Sequence, residues 1–177
     1  MKFTLLLVAL NTFIFFYTLP NLGYSLENYG FTINSFLAGK YYLLITNAFL
    51  HSGLLHLTYN MLALLFLGGA VESRIGGIKY LLVYLLAGIA GTLTVFISVF
   101  GYSSETILAG ASAAISGIVG IGIFVSPGKW VLLPPSRLIP VPFVIVSALW
   151  LISNTSYLFV KDGIAYPAHL AGMLVGM

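Results

Sequence analysis

Three polar clusters stand out in a chain that is otherwise strongly apolar: His51-x4-His56-x3-Asn60, Gly110-Ala-Ser112, and Ala168-His169-x2-Gly172. The Ser112 hydroxyl and the His169 imidazole are the two parts of the smallest acyl-transfer unit, a nucleophile and the base that takes its proton. His56 and Asn60 are hydrogen-bond donors four residues apart, hence on one helical face. Donors aimed at a developing oxyanion in a water-poor site are worth about 3 kcal/mol each. A free backbone amide near Ser112 would add another.

Each residue also has a plainer reading. Serine among small residues in a membrane helix usually serves packing, and His56 with Asn60 serves equally well as polar glue between helices. Ser116 fits a bond back to a carbonyl of its own helix. His51 fits a wet residue or a loop anchor at the outer membrane edge. Metal binding by His51, His56 and His169 is the competing chemistry. It is weakened by the lack of Cys or a buried carboxylate, and by the divergence of His51 and His56 on a helix.

Composition says what must carry these groups. The 177 residues are 60% hydrophobic and 6% charged, with a mean hydropathy of +1.07. Soluble domains carry about 25% charged residues. The chain is read as an all-α, multi-span membrane protein. Its net charge of +3 comes from seven scattered Lys and Arg that form no nucleic-acid patch. The absence of Cys excludes disulfides and thiolate catalysis. Nothing marks a second domain, so residues 1–177 are expected to form one.

Six helices are expected. The first runs from Phe3 to Leu19, retained rather than cleaved, and is stopped by Pro20. Asn21 to Asn47 is too irregular for a span yet rich in Tyr and Phe, a long first loop expected at the membrane interface. Further helices are expected over His51–Val71, Tyr80–Phe100, Ser112–Val125, from the Pro134–Pro142 loop to Val160, and from Tyr166 onward. The last rises roughly 18 Å, which is short for a span. With a cytoplasmic N-terminus, Lys2, Arg74, Lys79, Lys129 and Arg137 fall inside and Lys40 and Lys161 outside. Five against two obeys the positive-inside rule.

Depth and face then bring hydroxyl and imidazole together. Ser112 follows the outer charge Glu105 by seven residues, and His169 follows Asp162 by seven. Both lie at most roughly 10 Å below those charges on inward-running helices. Ser112, Ser116 and Gly120 form one small-residue ridge, and Ala168, Gly172 and Gly176 another. Two such ridges can pack backbone to backbone, with Gly122 off the seam. No Asp or Glu lies in the spans near His169, so the pair would act as a dyad. Water would reach it through a polar cavity open to the outer face, and a substrate helix would have to unwind there. The first loop and fifth helix are candidates for the lateral entrance.

These motifs, in this order, resemble the rhomboid family of intramembrane serine proteases over essentially the whole chain. The segment Gly68-Gly-Ala-Val-Glu72-Ser-Arg74 resembles the family's closure of its second helix. The resemblance implies a six-transmembrane-helix rhomboid bundle and a serine endopeptidase without metal or cofactor. It would cleave transmembrane protein substrates within the lipid bilayer of the cell membrane. It makes Ser112 the nucleophile, His169 the base, and His56, Asn60 and the Ser112 amide the oxyanion site. Gly110, Gly117 and Gly172 would support helix packing, and Glu72 and Arg74 would be structural. Ala113 departs from the glycine the family often has after the serine. A catalytically inactive relative that binds transmembrane helices and a transporter using the polar residues as a pathway remain the other readings.

Overall fold

The structure, a computed structural model, describes residues 1–97, 102–132, 140–156, 158 and 165–177. Expectations resting on Phe100, Pro134, Pro135, Arg137, Val160, Lys161 and Asp162 lie outside the described residues.

The chain opens with α1 (Lys2–Thr18) and, through a 3-10 turn at Leu19–Asn21, runs on into α2 (Leu22–Tyr29). Pro20, expected to stop the helix, therefore only redirects it. Proline has no N–H to lose in the first turn of a new helical segment, and the bend falls at Asn21 (φ −131°, ψ 46°). Leu7 and Phe15 are buried, whereas Leu6, Phe13, Phe16 and Tyr17 are exposed. The start of α1 is held by Glu72, far along the chain. The Phe3 and Thr4 amides donate to its carboxylate at 3.1 and 2.8 Å, and the Thr4 hydroxyl at 2.7 Å. A carboxylate is the ideal partner for the unpaired amides of a helix start.

The segment expected as a long loop contains α2, α3 (Ile33–Leu37) and α4 (Leu43–Thr46). It shares a small core with later segments, with Phe31, Leu43 and Val95 buried against Phe36, Tyr102 and Leu108. Phe31 and Leu108 exchange backbone hydrogen bonds of 2.9 and 2.8 Å, which fixes the strand-like approach to Gly110.

A continuous helical run, Leu54–Ile75, follows. It comprises α5 (Leu54–Ala63), a π-helical stretch at Leu64–Gly68, and α6 (Gly69–Ile75), closed by Gly76 at φ +79°. Helix α7 (Gly77–Leu93) continues as a 3-10 turn to Phe96. Helix α8 (Ser112–Val125) has the expected bounds and is the central element, buried without interruption from Ala113 to Gly120. Next comes an unexpected two-stranded ribbon, β1 (Trp130–Leu132) with β2 (Pro140–Pro142), antiparallel with Val131 opposite Val141. Both its strands are edges, where proline is tolerated. Helix α9 is Phe143–Ser156, the expected bound at Val160 lying outside the described residues, and α10 is Tyr166–Gly176.

The chain is therefore mostly helical and an integral membrane protein. Lys2–Tyr29, Leu54–Ile75 and Gly77–Phe96 are long and apolar enough to cross a bilayer. Ser112–Val125 and Phe143–Ser156 are apolar but shorter, so among the described residues length alone gives three of the six expected crossings.

Helices α7, α8 and α10 meet closely, the glycines between them facing backbone or alanine methyls. A Cβ on Gly172 would overlap the Ala113 carbonyl oxygen, one on Gly120 that of Met173, and one on Gly176 that of Gly117. A Cβ on Gly91 of α7 would lie 2.7 Å from the Ala168 oxygen. The seam on α8 is thus Ala113, Gly117 and Gly120, rotated from the expected Ser112–Ser116–Gly120 ridge. Each residue turns a helix by about 100°, which frees the two serines to face polar partners. Gly122, expected off the seam, is also tightly packed, since a Cβ there would enter the Phe143 ring.

Candidate active site

Ser112 is the first residue of α8. The N-cap, Ala111, offers no side-chain acceptor to the helix start. The opening amides of a helix have no partner within it, and the first bond of α8 runs from the Ile115 amide to the Ala111 carbonyl at 2.9 Å. His169 sits in the first turn of α10, and its amide bonds the Ala165 carbonyl at 3.2 Å. Pro167 is harmless there, because first-turn N–H groups are unpaired anyway. The seam of glycines sets the two helices close enough for their side chains to meet. His169 Nε2 lies 2.7 Å from Ser112 Oγ.

The other face of the imidazole has a partner that sequence reading missed. His169 Nδ1 lies 2.7 Å from Asn154 Oδ1 on α9. The same helix presents Trp150, whose indole N–H donates to Ser116 Oγ at 3.0 Å. Ser116 in turn donates to the Ser112 carbonyl at 2.9 Å, the back-bond expected of it. A polar asparagine inside an apolar helix was the available signal for Asn154.

His56 and Asn60 stand on α5 across a shared cavity of about 710 Å³, which Ser112, His169, Tyr59, Trp150 and Ala168 also line. His56 Nδ1 pairs with the Ser52 hydroxyl at 3.1 Å, leaving Nε2 for the cavity. One N–H of the Asn60 amide is committed to the His56 carbonyl at 2.8 Å. An amide carries two N–H donors, so the second remains for a ligand. Gly110, expected as a helix-packing residue, lies instead in the loop before α8. It adopts φ +130°, and a Cβ there would stand 2.7 Å from the His56 ring. Asn47 holds this loop. Its carbonyl accepts from the Gly110 amide at 2.9 Å and its Oδ1 from the Thr92 hydroxyl at 3.1 Å.

His51 is buried beside His56, ring centroids 5.0 Å apart. Burial, and after it the neighbouring His56, lowers its pKa to about 3, so it is neutral at physiological pH. No group of three His, Asp or Glu placed to hold a metal occurs among the described residues.

The family model for the rhomboid domain matches residues 38–177, a stretch that includes His56, Asn60, Ser112 and His169. Rhomboid protease GluP of Bacillus subtilis is 34% identical over 181 residues, covering 98% of this chain and 33% of its own length. Rhomboid protease GlpG of Yersinia pestis is 29% identical over 137 residues, 75% of this chain and 45% of its own. RHOMBOID-like protein 2 of Arabidopsis thaliana is 28% identical over 133 residues, 75% and 39%. The chain thus spans between a third and just under half the length of these curated relatives. With most of its length matched in this way, the chain belongs to the rhomboid family.

Proposed function

We propose that the chain is a single-domain intramembrane serine endopeptidase, cutting peptide bonds in or near transmembrane segments of other membrane proteins. The observation that carries this reading is the 2.7 Å contact between Ser112 Oγ and His169 Nε2 at the wall of a cavity large enough for an extended peptide. Ser112 gives its proton to His169 Nε2 as Oγ adds to the substrate carbonyl carbon. The carbonyl oxygen becomes an oxyanion, which His56, Asn60 and the Ser112 amide receive. Collapse breaks the C–N bond, and the proton on Nε2 passes to the leaving amine. Water, activated by the same imidazole, then hydrolyses the acyl-enzyme and restores Ser112.

Helical amides are already bonded, so a substrate must unwind to present a carbonyl. Segments with Gly, Pro or β-branched residues unwind at least cost and are the preferred substrates. The orientation proposed from the cation count is a cytoplasmic N-terminus in the cell membrane, with the cavity open to the outer face.

The test is labelling of the purified protein by a serine-directed phosphonate, together with cleavage of a transmembrane substrate. The parent chain should label and cleave, and Ser112→Ala and His169→Ala should do neither while remaining folded. Turnover by purified Ser112→Ala would end the serine-protease reading.

A further inference from the structure

The catalytic base is held in one protonation pattern by a donor–acceptor chain that begins on the backbone of α9. The Trp150 carbonyl can only accept, and Asn154 Nδ2 lies 2.8 Å from it, so the amide group must face it with its N–H. The opposite orientation would set two oxygens against each other. That fixes Oδ1 as the atom facing His169 Nδ1 at 2.7 Å. Oδ1 also can only accept, so in the neutral ring the proton sits on Nδ1. Nε2 then carries the lone pair, and the Ser112 hydroxyl, 2.7 Å away, must donate to it. Each assignment follows from the one before.

We propose that Asn154 is a positioning residue that makes the Ser112–His169 pair a Ser–His–Asn triad, selecting the Nδ1–H tautomer and orienting the ring. The proposal rests on Ser112 and His169 being nucleophile and base. A neutral imidazole has two tautomers, and only the one with Nε2 unprotonated can take the serine proton. When Nε2 gains that proton the ring becomes a cation. The Nδ1–H···Oδ1 bond then becomes charge-assisted and stronger, so the amide favours the transition state over the ground state. The Nδ1 proton never leaves Nδ1. Asn154 is 5% exposed and, unlike Trp150, is not among the described residues lining the cavity, so it faces the reacting atoms through the imidazole.

Nitrogen-15 NMR of the full chain labelled at histidine reads the tautomer directly, with His169 assigned by difference against His169→Ala. The expected spectrum of the neutral ring has a protonated Nδ1 and an unprotonated Nε2; a protonated Nε2 overturns the proposal, and the parent protein suffices to decide it. Asn154→Leu, close in size but without an acceptor, should lose about 10- to 100-fold in kcat with KM within about twofold. It should also show both tautomers. A rise in KM alone, or full kcat, overturns the positioning role even when Nδ1 carries the proton. Inert Ser112→Ala beside fully active Asn154→Leu removes Asn154 only; active Ser112→Ala removes the whole reading of the site.

Discussion

The smallest possible change at Gly172 should separate the folded protein from the active one. Gly172 lies one turn below His169 on α10. A methyl there would overlap the Ala113 carbonyl oxygen and stand 3.0 Å from its carbon and 3.4 Å from its Cα. Backbone atoms cannot rotate away as a side chain can, so α10 must back off from α8 by on the order of 1 Å. Ser112 is bonded to Ala113, and His169 rides on α10, so the same displacement opens the contact between them. A hydrogen bond of 2.7 Å lengthened that far passes the range in which it is effective. Misplacing reacting groups by 1 Å costs roughly 10²-fold in rate. Overpacking costs about 1–3 kcal/mol in stability, small against the ~5–15 kcal/mol of a folded domain. Gly172→Ala should therefore extract and melt as a folded protein yet lose about 10²-fold in both phosphonate labelling and substrate cleavage. Gly23→Ala is the control, because no atom lies within 4 Å of its Cβ position. If Gly172→Ala labels and cleaves within about twofold of the parent, the approach of α8 and α10 does not set the serine–histidine contact.

Asn60→Ala should lower kcat by roughly 10²-fold with little change in KM if its free N–H serves only developing charge. A pure rise in KM would place Asn60 in substrate binding. Gly110→Ala forces a side chain into a conformation that costs about 1–3 kcal/mol for residues other than glycine and pushes on His56. Activity should fall further than thermal stability, and a variant as active as the parent would refute the tight fit. Glu72→Ala strands the Phe3 and Thr4 amides and should destabilise by about 2–4 kcal/mol, with Glu72→Gln milder. Equal melting of all three proteins would deny the carboxylate its role at the start of α1.

The bounds of α8 were legible because a charge-free run of small residues closed by Pro127-Gly128 has few alternatives. Seven-residue spacings from Glu105 and Asp162 also suffice to expect Ser112 and His169 at one depth, although Asp162 lies outside the described residues. The packing face was misjudged by one residue. Small side chains were counted alike, whereas the hydroxyls of Ser112 and Ser116 have partners of their own and leave the seam to Ala113, Gly117 and Gly120. Pro20 is no stop, because a second helix starting at a proline looks the same in sequence as a helix ending there. Asn154 was missed for a different reason. The third member of such a site is commonly a carboxylate, and no Asp or Glu lies in the spans near His169, so an amide inside the expected fifth helix does not stand out. The ribbon of β1 and β2 joins segments whose prolines signal a loop, and only their pairing shows otherwise.

The clasp between Glu72 and the start of α1 has a consequence for how the chain is assembled. The amides of Phe3 and Thr4 are made first, but the carboxylate that receives them is added 68 positions after Thr4. Throughout that interval α1 must keep its leading end among water and lipid headgroups, where its amides are solvated. Once Leu54–Ile75 enters the membrane, Glu72 arrives at the same level and replaces that solvent, locking α1 to a helix made much later. A ribosome-bound chain cut short before Glu72 would carry α1 as an untethered anchor, and one long enough for Glu72 to have left the ribosome would carry a closed pair. The last step in seating the first helix thus belongs to the middle of synthesis.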